Sequence, residues 1–308
     1  MSIVTLVAAF GGGVFGSLIG ATTAFIFTGL LALVGIAVAL SGGGDMILNE
    51  IAFGPLFGPH IAFAGGVAAA AYLGRKKKKE LEKAGVSGSD VQEVYGHDNP
   101  NVDHEYLNRL VDGADTATPL FKSNDPIALL VGGLFGALGY VLNYLFSGDM
   151  LGLSLDTVAL TVLISGLVAR FVFGKSGLTG NYLANESKFG PVNSNLLFTA
   201  IWSLGYAAAV GYISLELNMN NVGFAISAFS LIFIYFGLSF PVSHHIAMVA
   251  GYAALQFGNI WMAMLFGLLA AILGEYTQRA VNTHVDTHID MPATMIALFS
   301  FIILGIFG

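Results

Sequence analysis

The chain of 308 residues is 56% hydrophobic and 10% charged, with 12 Lys and Arg against 19 Asp and Glu and no cysteine. A soluble domain carries about 25% charged residues, so this composition excludes an ordinary water-soluble fold and indicates a membrane protein. It also excludes disulfides, thiolate metal sites and cysteine nucleophiles, and without a basic cluster interleaved with aromatics it argues against a nucleic-acid partner.

The first apolar block, residues 3–41, is nearly twice as long as one span needs at about 1.5 Å per residue. A reversal near Ser17–Thr22 divides it into spans at 3–19 and 22–41. With no basic n-region or small-residue cleavage site, the first run is expected to stay in the mature protein. A third span, 58–74, follows the Phe-Gly-Pro-Leu-Phe-Gly-Pro segment that starts at Phe53. A polar stretch, 75–125, precedes spans at 127–146 and 155–174. The remaining runs are 194–213, 222–240, 244–257, 260–278 and 292–308, of which 244–257 is short for a full crossing. Every Lys and Arg falls in or beside three connections: the 75–125 stretch, the link after the fifth span, and the link after the ninth, where Arg279 lies. The positive-inside rule makes all three cytoplasmic, which requires an even number of spans and puts both termini outside the cell membrane.

The chain repeats itself. FGPHIAFAGG at 57–66 and VSHHIAMVAG at 242–251 align at an offset of 185 (245 − 60). DTVALTVLISG from Asp156 and DMPATMIALFS from Asp290 align at an offset of 134 (290 − 156). An insertion in the first copy, matching the 75–125 stretch, accounts for the difference. The expected organisation is a five-helix repeat over 1–174 with a cytoplasmic insertion at 75–125, a cytoplasmic linker at 175–192, and a second repeat over 193–308. Five is odd, so the copies insert upside down relative to one another. The expected fold class is an all-α membrane protein of about ten transmembrane helices, in two inverted-topology repeats. Broken or half helices are expected near His60 and His245. KKKKELEK extends the third helix, its lysines fixing topology, and the turn-rich remainder of the insertion is expected to be partly disordered.

Polar residues within apolar runs are the functional candidates. His60 and His245, with His244, follow breaks marked by Pro55, Gly58 and Pro59 in the first copy and by Pro241 and Ser243 in the second. A helix that starts at membrane depth offers free N–H groups to a cavity, and a histidine beside it can relay a proton; the alternative is a helix cap. Asp156 and Asp290 each precede an apolar helix, as N-caps or as carboxylates of a proton or cation pathway. Glu275 lies either on that pathway or in an i,i+4 pair with Arg279. His284, Asp286 and His288, with Asp290, share a face and suit a divalent cation only if the segment is extended. SGGGDMILNE at 41–50 lacks a P-loop lysine, and no HExxH or Ser-His-Asp pattern points to an enzyme.

FGPHIAFAGGVAAAAYLGRK at 57–76 and DTVALTVLISGLVARFVFGKSG at 156–177 resemble segments of a family of prokaryotic membrane proteins labelled permeases or left unnamed. The resemblance covers most of the chain outside the 75–125 loop and implies a permease without naming a substrate. The five-plus-five plan is also similar to drug/metabolite and bile-acid-type transporters, as an analogy of architecture alone. The expected function is a secondary transporter of a small anionic or zwitterionic solute, working by alternating access with proton coupling and without a cofactor. His60 and His245 would line its centre, with Asp156 and Asp290 as coupling or gating groups. A passive ion or small-solute channel is the alternative, and an intramembrane enzyme or scaffold ranks below both. The expected partners are that solute or ion and the lipid bilayer, and glycine-rich outer faces permit a homodimer.

This topology has a direct check, helped by the cysteine-free background. In intact cells an impermeant maleimide is expected to label Asp45→Cys and to leave Lys79→Cys unlabelled until the membrane is opened; labelling of Lys79→Cys from outside refutes the orientation.

Overall fold

The computed structural model describes residues 2–83, 104–148 and 150–308. Among them every regular element is helical. The first half contains α1 (Ile3–Ile19), α2 (Ala21–Leu40), α3 (Ala64–Lys83), α4 (His104–Leu107), α5 (Pro126–Ser147) and α6 (Thr157–Phe173). The second contains α7 (Leu196–Leu217), α8 (Val222–Ser230), α9 (His244–Phe257), α10 (Ile260–Asn282) and α11 (Met291–Ser300). Four helices, α2, α5, α7 and α10, are long and apolar enough to cross a membrane. α1, α6 and the extended segments Val222–Phe236 and Met291–Ile306 are shorter apolar helices. Large apolar side chains face outward, among them Leu134 at 62%, Leu197 at 71% and Trp261 at 73% exposure. Such an apolar exterior is compatible with a lipid environment.

Packing partners match between the halves. α5 packs on α1 and α3 as α10 packs on α7 and α9; α1 meets α3 as α7 meets α9; and α6 meets α3 and α5 as α11 meets α9 and α10. Small residues permit this closeness. Gly66 of α3 lies so near the start of α2 that a Cβ there would stand 2.9 Å from the Cα of Ala21. Gly251 of α9, its mate at offset 185, meets the backbone of Asn220 at the start of α8 in the same way.

The halves join through α2 against α8 and α6 against α11, and both crossings are antiparallel. Near one end of the first, the Thr23 hydroxyl lies 2.9 Å from that of Tyr235. Gly29 meets Ala228 farther along, and Ala32 and Ile36 share a cluster with Val222 and Ala225 at the other end. In the second crossing, the backbone N–H of Asp156 donates to the Ser300 hydroxyl at 2.9 Å. Gly166 packs against the backbone of His288–Asp290. Gly166 and Ser300 are themselves mates at offset 134 (300 − 166), so each of these helices meets the start of the other with the same position.

Each half interrupts its chain before its third helix. After α2 the chain makes a π-helical turn at Ile47–Ala52, then a second at Pro59–Phe63 that runs into α3. Pro59 occupies the first turn, where its missing N–H is not needed. Before this break, the Thr28 hydroxyl donates to the carbonyl of Phe57 at 2.6 Å. In the second half α8 tightens into a 3₁₀ turn at Leu231–Phe236 and ends at Gly237 in the left-handed region. There the Ser243 hydroxyl donates to that of Ser227 at 3.1 Å, one residue before α9 begins. Thr28 and Ser227 lie partway along α2 and α8, so α3 and α9 start at depth beside those helices, not at their ends. α9, with 14 residues, is about 21 Å long, short of the roughly 30 Å hydrocarbon core.

KKKKELEK does continue α3, to Lys83. Much of the stretch expected to be disordered, 84–103, lies outside the described residues; its C-terminal part is ordered and packed. Leu107, Leu110, Val111 and Leu120 share a cluster with Leu73 and Leu81 of α3. Asp112 and Asp115 accept backbone N–H groups that fix turns, and the backbone N–H of Thr22 donates to the carbonyl of Thr116 at 2.8 Å. Sequence polarity pointed to disorder because these turns use side chains for bonds that a helix would make within its backbone.

Crowding at the first break can be tested. A Cβ on Gly139 of α5 would collide with the carbonyl of His60, whereas one on Gly205 of α7 meets nothing within 4 Å. Gly139→Ala is expected to lower stability by about 1–3 kcal/mol through overpacking. Gly205→Ala should be neutral or slightly stabilising, and thermal unfolding in detergent distinguishes the two.

Candidate functional site

A cavity of about 780 Å³ lies between the halves, walled by α2, the turn before α3 and α6 from one side and by α7, α8, α9, α10 and α11 from the other. Many lining residues are repeat mates: Phe63 with Met248 at offset 185, and Asp156 with Asp290, Ala159 with Ala293, and Val162 with Ile296 at offset 134. Phe25 and Phe224 both line it and pack edge to face against each other, their ring centroids 5.6 Å apart. Thr116 and Ala117 of the docked loop also line it.

Both aspartates cap helices, and both line the cavity. Asp156 accepts the N–H of Ala159 at 2.8 Å and, through its other oxygen, the hydroxyl of Tyr252 at 2.9 Å. Asp290 accepts the N–H of Ala293 at 2.6 Å, while its second oxygen lies 3.5 Å from Nε2 of His288. Such caps contribute about 0.5–2 kcal/mol each to their helices. Tyr252 reaches from α9 to the start of α6; its place in an alanine-rich helix gave no signal in the sequence.

The histidines divide. His244 and His245, in the first turn of α9, are buried and line the cavity, and the Nδ1 atom of each has no hydrogen-bond partner. The His244 ring packs 4.7 Å from Phe25 and 6.0 Å from Phe224. His60 is buried within the π-helical turn, its ring against Gly58, and does not line the cavity. The expected meeting of His60 and His245 at one centre is therefore corrected: the π-helical turn at Pro59–Phe63 sets the His60 ring against Gly58 of its own break. Pro59 and Pro241 line the cavity, Gly58 and Ser243 are the residues just before the two helix starts, and Pro55 lies behind them with its carbonyl against Gly12.

Glu275 lines the cavity and accepts the backbone N–H of Asn193 at 2.8 Å. Arg279 bonds the carbonyl of Ser187 instead of Glu275. The proposed metal set comes apart. His284, at φ 54, turns its Nε2 to Glu186 at 3.0 Å. Asp286 accepts the Ser176 hydroxyl at 2.7 Å, and His288 faces Asp290. Among the described residues no three His, Asp or Glu side chains converge as metal ligands. The extended geometry that would have aligned them is broken by the left-handed turn at His284. Sequence reading also missed Arg170. It is 1% exposed and donates to the hydroxyl and carbonyl of Thr287 and to the carbonyls of Val281 and Leu178.

Two carboxyls outside the spans carry a pH signature. Burial pushes the Asp125 carboxyl up, but the Lys76 ammonium at 2.6 Å and the N–H groups of Ile127 and Ala128 outweigh it and hold the group below the usual range. Burial likewise raises Asp286, and the Ser176 hydroxyl, the N–H groups of Lys175 and Ser176, and Lys78 bring it below its ordinary value. A carboxyl lowered in the folded state adds stability above its unfolded value and loses it as pH falls through the folded one. Asp125→Asn and Asp286→Asn are each expected to cost about 1–3 kcal/mol at neutral pH, with the gap to the native chain closing below about pH 4. Unfolding midpoints measured across pH check this, and a gap that widens in acid contradicts it.

A family of unknown function, DUF7973, matches the chain over residues 1–102, 112–195 and 197–307. No curated protein and no solved structure matches it. Matched over nearly all of its length, the chain belongs to the DUF7973 family.

Proposed function

We propose that the protein is a secondary transporter, or permease, of the cell membrane, built of ten spans in two inverted repeats and working by alternating access. The observation that carries the proposal is the cavity lined by repeat-matched residues where the halves cross. Matched helices that run antiparallel through one bilayer belong to units inserted in opposite senses, and such units place solute sites at their interface. The interruptions before α3 and α9 support the reading, because irregular backbone at membrane depth is tolerated where it is buried or lines a cavity. Asp156, Asp290, His244 and His245 are the polar groups with which protons or solute would be bound. The lining includes Asp156, Asp290 and Glu275 but no lysine or arginine, so it gives no fixed positive charge to an anion. The anionic substrate suggested by the helix starts alone is not carried forward.

Alternating access can be tested without a known substrate. Asn221 and Gln278 both line the cavity and fall toward opposite membrane faces in the ten-span arrangement. In an Asn221→Cys/Gln278→Cys variant, a bulky maleimide attached to position 278 from the cytoplasmic side should wedge that mouth open. Labelling of position 221 from outside is then expected to slow about tenfold, as the population shifts toward one state. Unchanged outer labelling favours a channel open at both ends.

A further inference from the structure

We infer that the cavity binds a small organic cation, an amine or quaternary ammonium, with Asp290 as its counter-charge and aromatic rings as its walls. The inference names a substrate class for the transport reading and rests on that reading only for the claim that the cation crosses the membrane.

The cavity, about 780 Å³, has the size of a small-molecule pocket, far larger than a bare ion needs. Phe25, Phe63, Phe224, Trp202 and Tyr252 are in its wall. Aromatic faces attract a cation that has left water, and quaternary ammonium groups most of all. Fixed charge in the lining is negative alone. Of the two capping aspartates, Asp156 has both oxygens engaged, by Ala159 and Tyr252. Asp290 has one oxygen engaged by Ala293; the other, at 3.5 Å from His288, is beyond good hydrogen-bond distance. Beside it stand His244 and His245, more than nine-tenths buried and each with an unpartnered Nδ1.

Most positions of the first half that match these groups carry other residues. The mates of His244 and Tyr252 at offset 185 are Pro59 and Val67, and the mate of His288 at offset 134 is Ser154. The first half builds the same helices without these groups. Only the mates of His245 and Asp290, His60 and Asp156, share their residue type, and His60 is turned away. The second half therefore carries polar side chains absent from the matching positions of the first, gathered around a carboxylate with one oxygen short of a full hydrogen bond.

A carboxylate in an apolar cavity, with one oxygen short of a full hydrogen bond, calls for a positive partner. The other ionisable side chains facing the cavity are His244, His245 and Tyr252 of α9, His288 and Asp156 before α11 and α6, and Glu275 of α10; α2, α7, α8 and the 116–117 loop contribute none.

The chain has two tryptophans, and Trp202 lines the cavity while Trp261 is exposed. Trp261→Phe therefore leaves a single reporter at the site. In detergent, benzyltrimethylammonium is expected to change Trp202 fluorescence saturably, with phenylacetate without effect. Asp290→Asn, which keeps the cap because asparagine also caps well, should weaken binding at least about tenfold. Asp156→Asn should weaken it less. Equal or stronger binding of phenylacetate, no saturable response to benzyltrimethylammonium, or a folded Asp290→Asn variant that binds normally overturns the inference. If that variant does not fold, the cation-to-anion comparison on the Trp261→Phe protein still decides. Cation binding without uptake into proteoliposomes refutes transport and leaves the site; uptake of an anion without cation binding does the reverse.

Discussion

The architecture depends on close antiparallel contact between repeat-matched helices, α2 with α8 and α6 with α11. In lipid no hydrophobic effect drives helices together, so association rests on packing and on the few polar bonds that cross the seam. Gly29 against Ala228 and Gly166 against the start of α11 let backbones approach. The Thr23–Tyr235 and Asp156–Ser300 bonds set the register. The cavity is the space left between these two seams. Its wall pairs residues at matching sequence offsets, Phe63 with Met248 and Ala159 with Ala293.

Much of this was legible in the sequence because bilayer physics leaves a strong imprint. Apolar runs located the helices, and Asp156 and Asp290 marked helix starts by their position before apolar segments. The matching sequence segments include residues, Gly66 and Gly251 among them, that are constrained by close approach to a neighbouring stretch of chain. Two features were hidden. The π-helical turn at Pro59–Phe63 adds a residue to a turn without altering composition, so nothing indicated that His60 would be rotated away from the place held by His245. Tyr252 and Ser300 join the site through tertiary contacts between segments 96 and 144 residues apart from Asp156, which local pattern does not reveal.

The paired hydroxyls Thr28 and Ser227 show how an interrupted helix is held in an apolar setting. A chain that stops being helical exposes carbonyl and N–H groups that hydrocarbon cannot satisfy. Thr28 answers this directly by bonding the carbonyl of Phe57. Ser227 works through a relay, since it bonds the Ser243 hydroxyl and also contacts the hydroxyl of Tyr206. The same problem at matching places has two local solutions, and the second is the more polar, on the side of the cavity where the histidines lie.

Arg170 has a further mechanical consequence. Its guanidinium holds the chain after α6, the end of α10 and the approach to α11 with hydrogen bonds to Leu178, Val281 and Thr287. Three helix ends riveted by one buried cation cannot slide past one another separately. A displacement of any one of these ends must carry the other two with it as one block.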